Sequence, residues 1–201
     1  MSNYVIGLTG GIACGKTNLT DALLSIGAPV VDADVVSRSI TAKGGAALPA
    51  IRAAFGDAVF EGDELNRSAL SALVFQDAEK RRQLNAITHP LILSECRRLL
   101  SAIPGPSIYS VPLLFECGLE KECDEVWCAY LPQKEQIRRL RQRDGITHRQ
   151  ALAKIHSQMP TLQKARLSHR IIRTDGSREE SAAKVVALWQ ETLARIQSIG
   201  K

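Results

Sequence analysis

Residues 10–17 read Gly10-Gly11-Ile12-Ala13-Cys14-Gly15-Lys16-Thr17. They fit G-x-x-x-x-G-K-[ST], the pattern of a loop that holds nucleotide phosphates. Its glycines let backbone N–H groups turn inward around an anion, and a following helix adds unpaired N–H groups and the positive end of its dipole. In such a cradle Gly11, Ile12, Ala13, Cys14, Gly15 and Asn18 surround the phosphates. Lys16 is a point charge for the β- and γ-phosphates, and the Thr17 hydroxyl is a ligand for Mg²⁺. The bland alternative is a glycine-rich strand-to-helix turn with an exposed lysine. By chance the four fixed positions arise in roughly one chain of this length per hundred. Strand-type residues before the loop and helical ones after it make chance rarer still.

Two further groups could do chemistry on a phosphate. Asp32-Ala33-Asp34 ends an apolar run, and strand periodicity would turn both carboxylates to one side. One would then serve Mg²⁺ waters and the other an acceptor hydroxyl. The competing reading is that Asp34 N-caps a helix starting at Val35. Lys134, Arg138, Arg139, Arg141 and Arg143 form the most basic stretch. Arg139 and Arg143 share a helix face and suit a lid that brings guanidinium groups onto transferring phosphates. A solvated helix surface is the alternative for any one of them. Cys14 lies near a helix N-terminus, which can lower a thiol pKa. The simpler reading is that the loop needs a small residue there.

The elements that must position these groups follow from hydrophobic periodicity. Apolar runs at 4–8, 28–32, 107–111, 125–131 and 170–173 read as strands, with helical segments between them. This predicts an α/β fold: a P-loop NTPase core with a five-stranded parallel sheet flanked by helices. A helix over 18–26 carries Leu19, Leu23 and Ile26 on one face and stops at Gly27. Residues 35–103 read as helical with short breaks, one helix ending at Phe55-Gly56 and another opening at His89-Pro90 with proline in its first turn. Thr147 to Gln150 and Ser177 to Glu180 are capping boxes. The second opens a long C-terminal helix with Val185, Leu188, Trp189, Leu193 and Ile196 as its buried stripe. The predicted organisation is a nucleotide-binding core from 1–34, 105–135 and 165–201, a helical acceptor-binding insert at 35–104, and a lid at 136–164.

Composition narrows the function classes. The 201 residues are 45% hydrophobic and 23% charged, as in a soluble globular protein, and the net charge of +5 suits an anionic small molecule. Aromatics make up only 4%, with no basic run interleaved among them, which argues against a base-stacking nucleic-acid surface. The five cysteines are odd in number and include no C-x-x-C, so reduced thiols in a cytoplasmic protein are expected. No signal peptide and no membrane span is read. A monomer is expected, with a weak oligomer as the alternative. D-x-x-G and N-K-x-D are missing after the loop, which sets GTPases aside. Core, helical insert, core, arginine-rich insert and core is the plan of small-molecule P-loop kinases. One insert takes the acceptor and the other closes over ATP. A kinase for a nucleotide or other small alcohol and a non-catalytic ATP-binding regulator both stay open on these grounds.

The residues also resemble the dephospho-CoA kinase family. The resemblance starts with Gly7-Leu8-Thr9-Gly10-Gly11-Ile12 running into Gly15-Lys16-Thr17, and continues through Asp32-Ala33-Asp34, Phe55-Gly56, Asn66-Arg67 and Val74-Phe75. His89-Pro90, Pro112-Leu113-Leu114-Phe115-Glu116, Gln136 with Arg138 to Arg143, Gln158-Met159 and Lys164 follow. It implies transfer of the ATP γ-phosphate to the ribose 3′-hydroxyl of dephospho-CoA. By position, Asp34 matches the family's base and Asp32 supports metal waters. Arg67, His89, Leu113 and Glu116 match the acceptor side, and Arg139 and Arg143 the lid. The family usually has Ala-Asp where Ser168-His169 stands here, and Asn where Thr174 stands. The loop containing Thr174 is the one expected to touch adenine.

Overall fold

A computed structural model describes residues 3–199. Its central strand, β1 (Tyr4–Gly10), is buried from Ile6 onward. Both of its faces are covered, so Ile6 and Leu8 alternate with Gly7 and Thr9 in size and not in exposure. The sheet order is β2 (Val30–Asp32), β5 (Pro106–Ser110), β1, β6 (Glu125–Tyr130), β7 (Arg170–Arg173). β1 pairs in parallel with β5 on one side and β6 on the other, and β7 continues in parallel from β6. This is the five-stranded parallel sheet flanked by helices that the periodicity predicts. Later strands lie on both sides of β1, so the strand order reverses there. Open α/β sheets bind ligands in the crevice outside the carboxyl end of such a strand. Residues 11–15 leave β1 at that end.

α1 (Lys16–Ser25) begins two residues earlier than predicted, because Gly15, at φ 79, is its N-cap. Ile26 falls beyond the helix and is exposed, so it does not join the buried face. α1 lies against α9 (Arg178–Ile199). Leu19, Leu23, Val185 and Trp189 from these helices pack with Ile6, Leu8, Ile108 and Trp127 of the sheet. α6 (Gln133–Asp144) and α7 (His148–His156) pair through Leu140, Ala151 and Ile155, and Ile12 and Ala13 of the glycine loop pack against them. The capping box at Thr147 and Gln150 is formed, as is the reciprocal pair of Ser177 and Glu180. α8 (Thr161–Leu167) lies against β1 and β6.

The chain divides into two compact units, one up to Val30 together with Ile103 onward, the other Val31–Ala102. In the second, α2 (Ala33–Ile40), α3 (Leu48–Phe55) and α4 (Arg67–Gln76) all contact α5 (Ala78–Ser101). This segment departs from its sequence pattern in two places. His89-Pro90 does not open a helix: α5 runs unbroken through it for 24 residues, with Pro90 in its interior. Pro90 has no N–H for the Ala86 carbonyl, a loss of about 3 kcal/mol in a helix interior. Burial of Thr88, Cys96 and Leu100 along the same helix offsets it. Nor is the segment wholly helical. β3 (Phe60–Glu61) and β4 (Glu64–Leu65) form an antiparallel hairpin around Gly62-Asp63.

Candidate active site

The loop after β1 has a defined backbone. Cys14 N–H donates to the Gly11 carbonyl at 3.2 Å, closing a turn. Ala13, at φ 61, is the one non-glycine residue of positive φ among the described residues. No side chain caps α1, and the first N–H groups of a helix have no intrahelical acceptor. Lys16 Nζ donates to Ser110 Oγ, 2.6 Å away at the end of β5. Thr17 is exposed at the same helix start. Asn18 contributes differently: its side chain donates to the Arg178 carbonyl at 3.0 Å, joining α1 to the start of α9.

Three residues outside the loop grip it. Gln136 Nε2 lies 2.9 Å from the Ile12 carbonyl and 2.8 Å from both Cys14 Sγ and Thr161 Oγ1. A Cβ at Gly11 would stand 2.0 Å from Thr161 Oγ1 and 2.6 Å from Gln136 Nε2, so only glycine fits there. Thr174, 2% exposed, places its hydroxyl 2.8 Å from the Cys14 carbonyl and 3.2 Å from that of Tyr130. Its own carbonyl accepts from Arg139 Nη2 at 2.6 Å. Gln136 and Thr161 were not among the predicted site residues. The available signal was a glutamine on the buried face of an otherwise charged helix. Cys14 is fully buried, and burial pushes its thiol up despite its hydrogen bonds. Burial therefore works against activation by the helix N-terminus, and the Cys14 side chain stands in a space closed by Gln136 and Thr161.

The two predicted lid arginines part ways. Arg139 reaches inward to Thr174, while Arg143 holds the neighbouring Asp144 carboxylate at 2.7 and 3.2 Å. Arg143, with Lys154 at 3.0 Å, keeps the Asp144 carboxyl well below the usual range.

Residues 112–116 follow β5 at the same end of the sheet. The Pro112 carbonyl accepts from Thr9 Oγ1 at 3.1 Å and Lys164 Nζ at 2.6 Å. Lys164 also pairs with Glu116 Oε1 at 2.8 Å, which takes the Met159 N–H at 2.9 Å. Leu113 is half-buried beside the fully buried Leu114. Lys164 is itself fully buried. Its place with Thr161 and Ala165 on the i, i+3, i+4 face of α8 is the pattern that could have marked it.

The other predicted residues lie in the second unit. Asp32 closes β2, and its Oδ1 accepts from Asp34 N–H at 2.8 Å and Val35 N–H at 3.3 Å. Asp32, not Asp34, is thus the N-cap of α2, and because the helix starts at Ala33 the pair does not follow strand periodicity. Asp34 is an exposed carboxylate in the first helical turn, where the helix dipole favours its charge. Arg67 opens α4 and donates to the Arg38 carbonyl at 3.1 Å. His89 is exposed within α5. Among the described residues no cluster of three or more His, Cys, Asp or Glu could hold a metal, all five cysteines are free thiols, and no helix is long and apolar enough to cross a membrane.

The family profile of dephospho-CoA kinase matches residues 4–180. A dephospho-CoA kinase of Geobacter metallireducens is 39% identical over 200 residues, covering 95% of this chain and 98% of the relative. One from Geobacillus kaustophilus is 37% identical, covering 92% and 95%. Among solved structures, TT1252 from Thermus thermophilus superposes with a TM-score of 0.77 at 30% identity, covering 95% of this chain and 98% of that one. A dephospho-CoA kinase from Campylobacter jejuni shares the fold, with a TM-score of 0.67 at 22% identity, covering 93% and 96%. With its family profile matched across most of its length and relatives this similar end to end, the chain belongs to the dephospho-CoA kinase family.

Proposed function

We propose that this chain transfers the γ-phosphate of ATP to the ribose 3′-hydroxyl of dephospho-CoA, giving CoA and ADP, the closing step of CoA biosynthesis. The observation that carries the reading is a phosphate-cradle backbone at the switch point of the sheet, in a chain of this family. Lys16 sits at the start of α1 to meet the β- and γ-phosphates. The Thr17 hydroxyl is an exposed hard oxygen beside the loop, and Asp32 carries a carboxylate at the end of β2. That donor set fits Mg²⁺, which keeps most of its waters and takes substrate phosphates as ligands. Thr17 and Asp32 would hold it, and when bound it would neutralise charge between the β- and γ-phosphates.

Asp34 is the base that accepts the 3′-hydroxyl proton. Arg139 and Arg143 stabilise charge on the transferring group, and Arg67, His89, Leu113 and Glu116 serve the acceptor. In this reading 35–104 is the acceptor-binding insert and 136–164 the lid, and the protein works as a cytoplasmic monomer. Phosphoryl transfer has a loose transition state, so positioning outweighs base strength.

The decisive experiment measures ADP and CoA formation from Mg-ATP with and without dephospho-CoA. Stoichiometric, acceptor-dependent products support the reading, and ATP binding without transfer defeats it. Asp34→Asn should lower turnover by about 10²- to 10⁴-fold while ATP still binds. Near-normal turnover in that variant would remove Asp34 as the base.

A further inference from the structure

In a trans peptide the carbonyl of one residue and the N–H of the next point in opposite directions. Whatever fixes a carbonyl on one side of a loop therefore aims the following N–H to the other. Two carbonyls of the loop are fixed in this way by side chains from outside it. Gln136 Nε2 holds the Ile12 carbonyl at 2.9 Å, which turns the Ala13 N–H away from α6. Thr174 Oγ1 holds the Cys14 carbonyl at 2.8 Å, which turns the Gly15 N–H away from the β7–α9 connection. The two peptide planes are alternate members of one loop, and Ala13 between them is held at φ 61, a conformation that residues other than glycine seldom adopt.

Both grips are built to one polarity. The Ile12 carbonyl can only accept, so the Gln136 amide must present its NH₂, and Cys14 Sγ and Thr161 Oγ1 complete its surroundings at 2.8 Å each. Thr174 has a single hydroxyl proton, and the Cys14 carbonyl is nearer than that of Tyr130, at 2.8 against 3.2 Å. Both residues are 2% exposed. Arg139, one helical turn after Gln136, anchors the Thr174 carbonyl at 2.6 Å, so α6 reaches the loop directly through one residue and by way of Thr174 through the other.

We infer that Gln136 and Thr174 are positioning residues of the phosphate site. They set the peptide planes 12–13 and 14–15 so that the Ala13 and Gly15 N–H groups face a phosphate, and Thr174 acts on the phosphates and not on the base. The inference rests on residues 10–15 being a phosphate cradle, and not on which alcohol receives the phosphate.

The test is calorimetric titration of the full chain with ATP and, separately, with tripolyphosphate, which carries the phosphates without base or ribose. Acceptor is left out, so the outcome is independent of whether dephospho-CoA is the substrate. Thr174→Val keeps the shape and removes the donor. Its affinity for both probes should fall by a similar factor, about tenfold or more, the worth of one charge-assisted hydrogen bond. Thr174→Ser should restore both, and Gln136→Met should weaken both in the same way as Thr174→Val. A loss for ATP with unchanged tripolyphosphate binding would make Thr174 a base contact and overturn the inference. So would native affinities in both Thr174→Val and Gln136→Met, or a loss in Thr174→Val that serine fails to rescue although the serine variant melts at the native temperature.

Discussion

The P-loop unit holds two glutamates against cations at opposite ends of its sheet, and they are built differently. Glu125, the first residue of β6, is 4% exposed in its side chain. Its Oε1 accepts from Trp127 Nε1 at 3.1 Å and Arg170 Nε at 3.3 Å, and its Oε2 from Tyr4 OH at 3.2 Å and from Arg195 Nη2. Those donors come from β1, β6, β7 and α9, and four of them saturate a carboxylate. Glu116 lies past the carboxyl end of β5 with 23% of its side chain exposed, while its cation, Lys164, is wholly buried. Both Lys164 and the Met159 N–H fall on the single atom Oε1. At the amino end the charge is closed on every side and knits four elements together. At the carboxyl end the buried partner is the cation, and the group it holds stands in the loop beside the phosphate site. A charged cluster in an α/β sheet is read by which edge it occupies and by which partner is kept from water, not by its charge count.

Replacing Lys16 separates the ligand edge from the framework most sharply. Lys16→Ala should lower kcat/KM by roughly 10²- to 10³-fold, as loss of one preorganised charged donor does. Stability should stay within about 1 kcal/mol, because Lys16 is half-buried and the Ser110 hydroxyl that it meets keeps Thr20 Oγ1 beside it at 3.4 Å. Steady-state kinetics beside urea denaturation tests this, and a large loss of stability with intact kinetics would place Lys16 in the architecture.

Lys164→Met should move both readouts. It removes a fully buried cation from the Pro112 carbonyl and Glu116. Breaking a buried pair costs about 3–5 kcal/mol, and Glu116 can partly rehydrate, so about 2–3 kcal/mol is expected. Residues 112–116 then lose their tie to α8, and kcat/KM should fall about tenfold through misplacement. If urea midpoints shift while kinetics hold, the Glu116 cluster belongs with Glu125 as framework.

The sequence shows the scaffold of this contrast and not its charged clusters. The five strands, the cradle, both capping boxes and the C-terminal stripe follow from local pattern, because each is set by neighbours in the chain. The hairpin at 60–65 was also local: Gly62-Asp63 between Phe60 and Leu65 is a two-residue turn signal that a helical reading passed over. Pro90 departs from its local signal because proline usually marks a first turn, and here packing along a 24-residue helix overrides that preference. Gln136 and Lys164 enter the family resemblance without a role, and Thr161 does not enter it, since what makes all three matter is contact with residues 124, 52 and 25 positions away. Thr174 shows the same limit. A departure from the family's usual residue pointed to the base, and only the fold puts its hydroxyl on the Cys14 carbonyl.

The smallest expected effect tests the amino end. Burial pushes the Glu125 carboxyl up, but donors from Trp127, Arg195 and Arg170 outweigh it and leave it below the ordinary glutamate range. A folded-state value below the unfolded one, about 4.3, means that the ionised form binds the native structure better. This contribution is fully present above the unfolded value and is lost as pH falls through the folded one. Glu125→Gln places an NH₂ where the surrounding groups also donate. Because Arg170 and Arg195 are about 40% exposed and can turn to water, the cost near neutral pH should be only about 1–2 kcal/mol. Turnover should not change, as no atom of this cluster lies at the carboxyl end of the sheet. In acid the native carboxyl gains a proton and becomes nearly isosteric with the amide, so the two stability curves should converge below the glutamate range. Urea titrations of both proteins from neutral pH down to about 3 follow that convergence. A constant gap would mean that shape, and not charge, is what Glu125 contributes, and a fall in turnover at neutral pH would show that the two ends of the sheet are coupled.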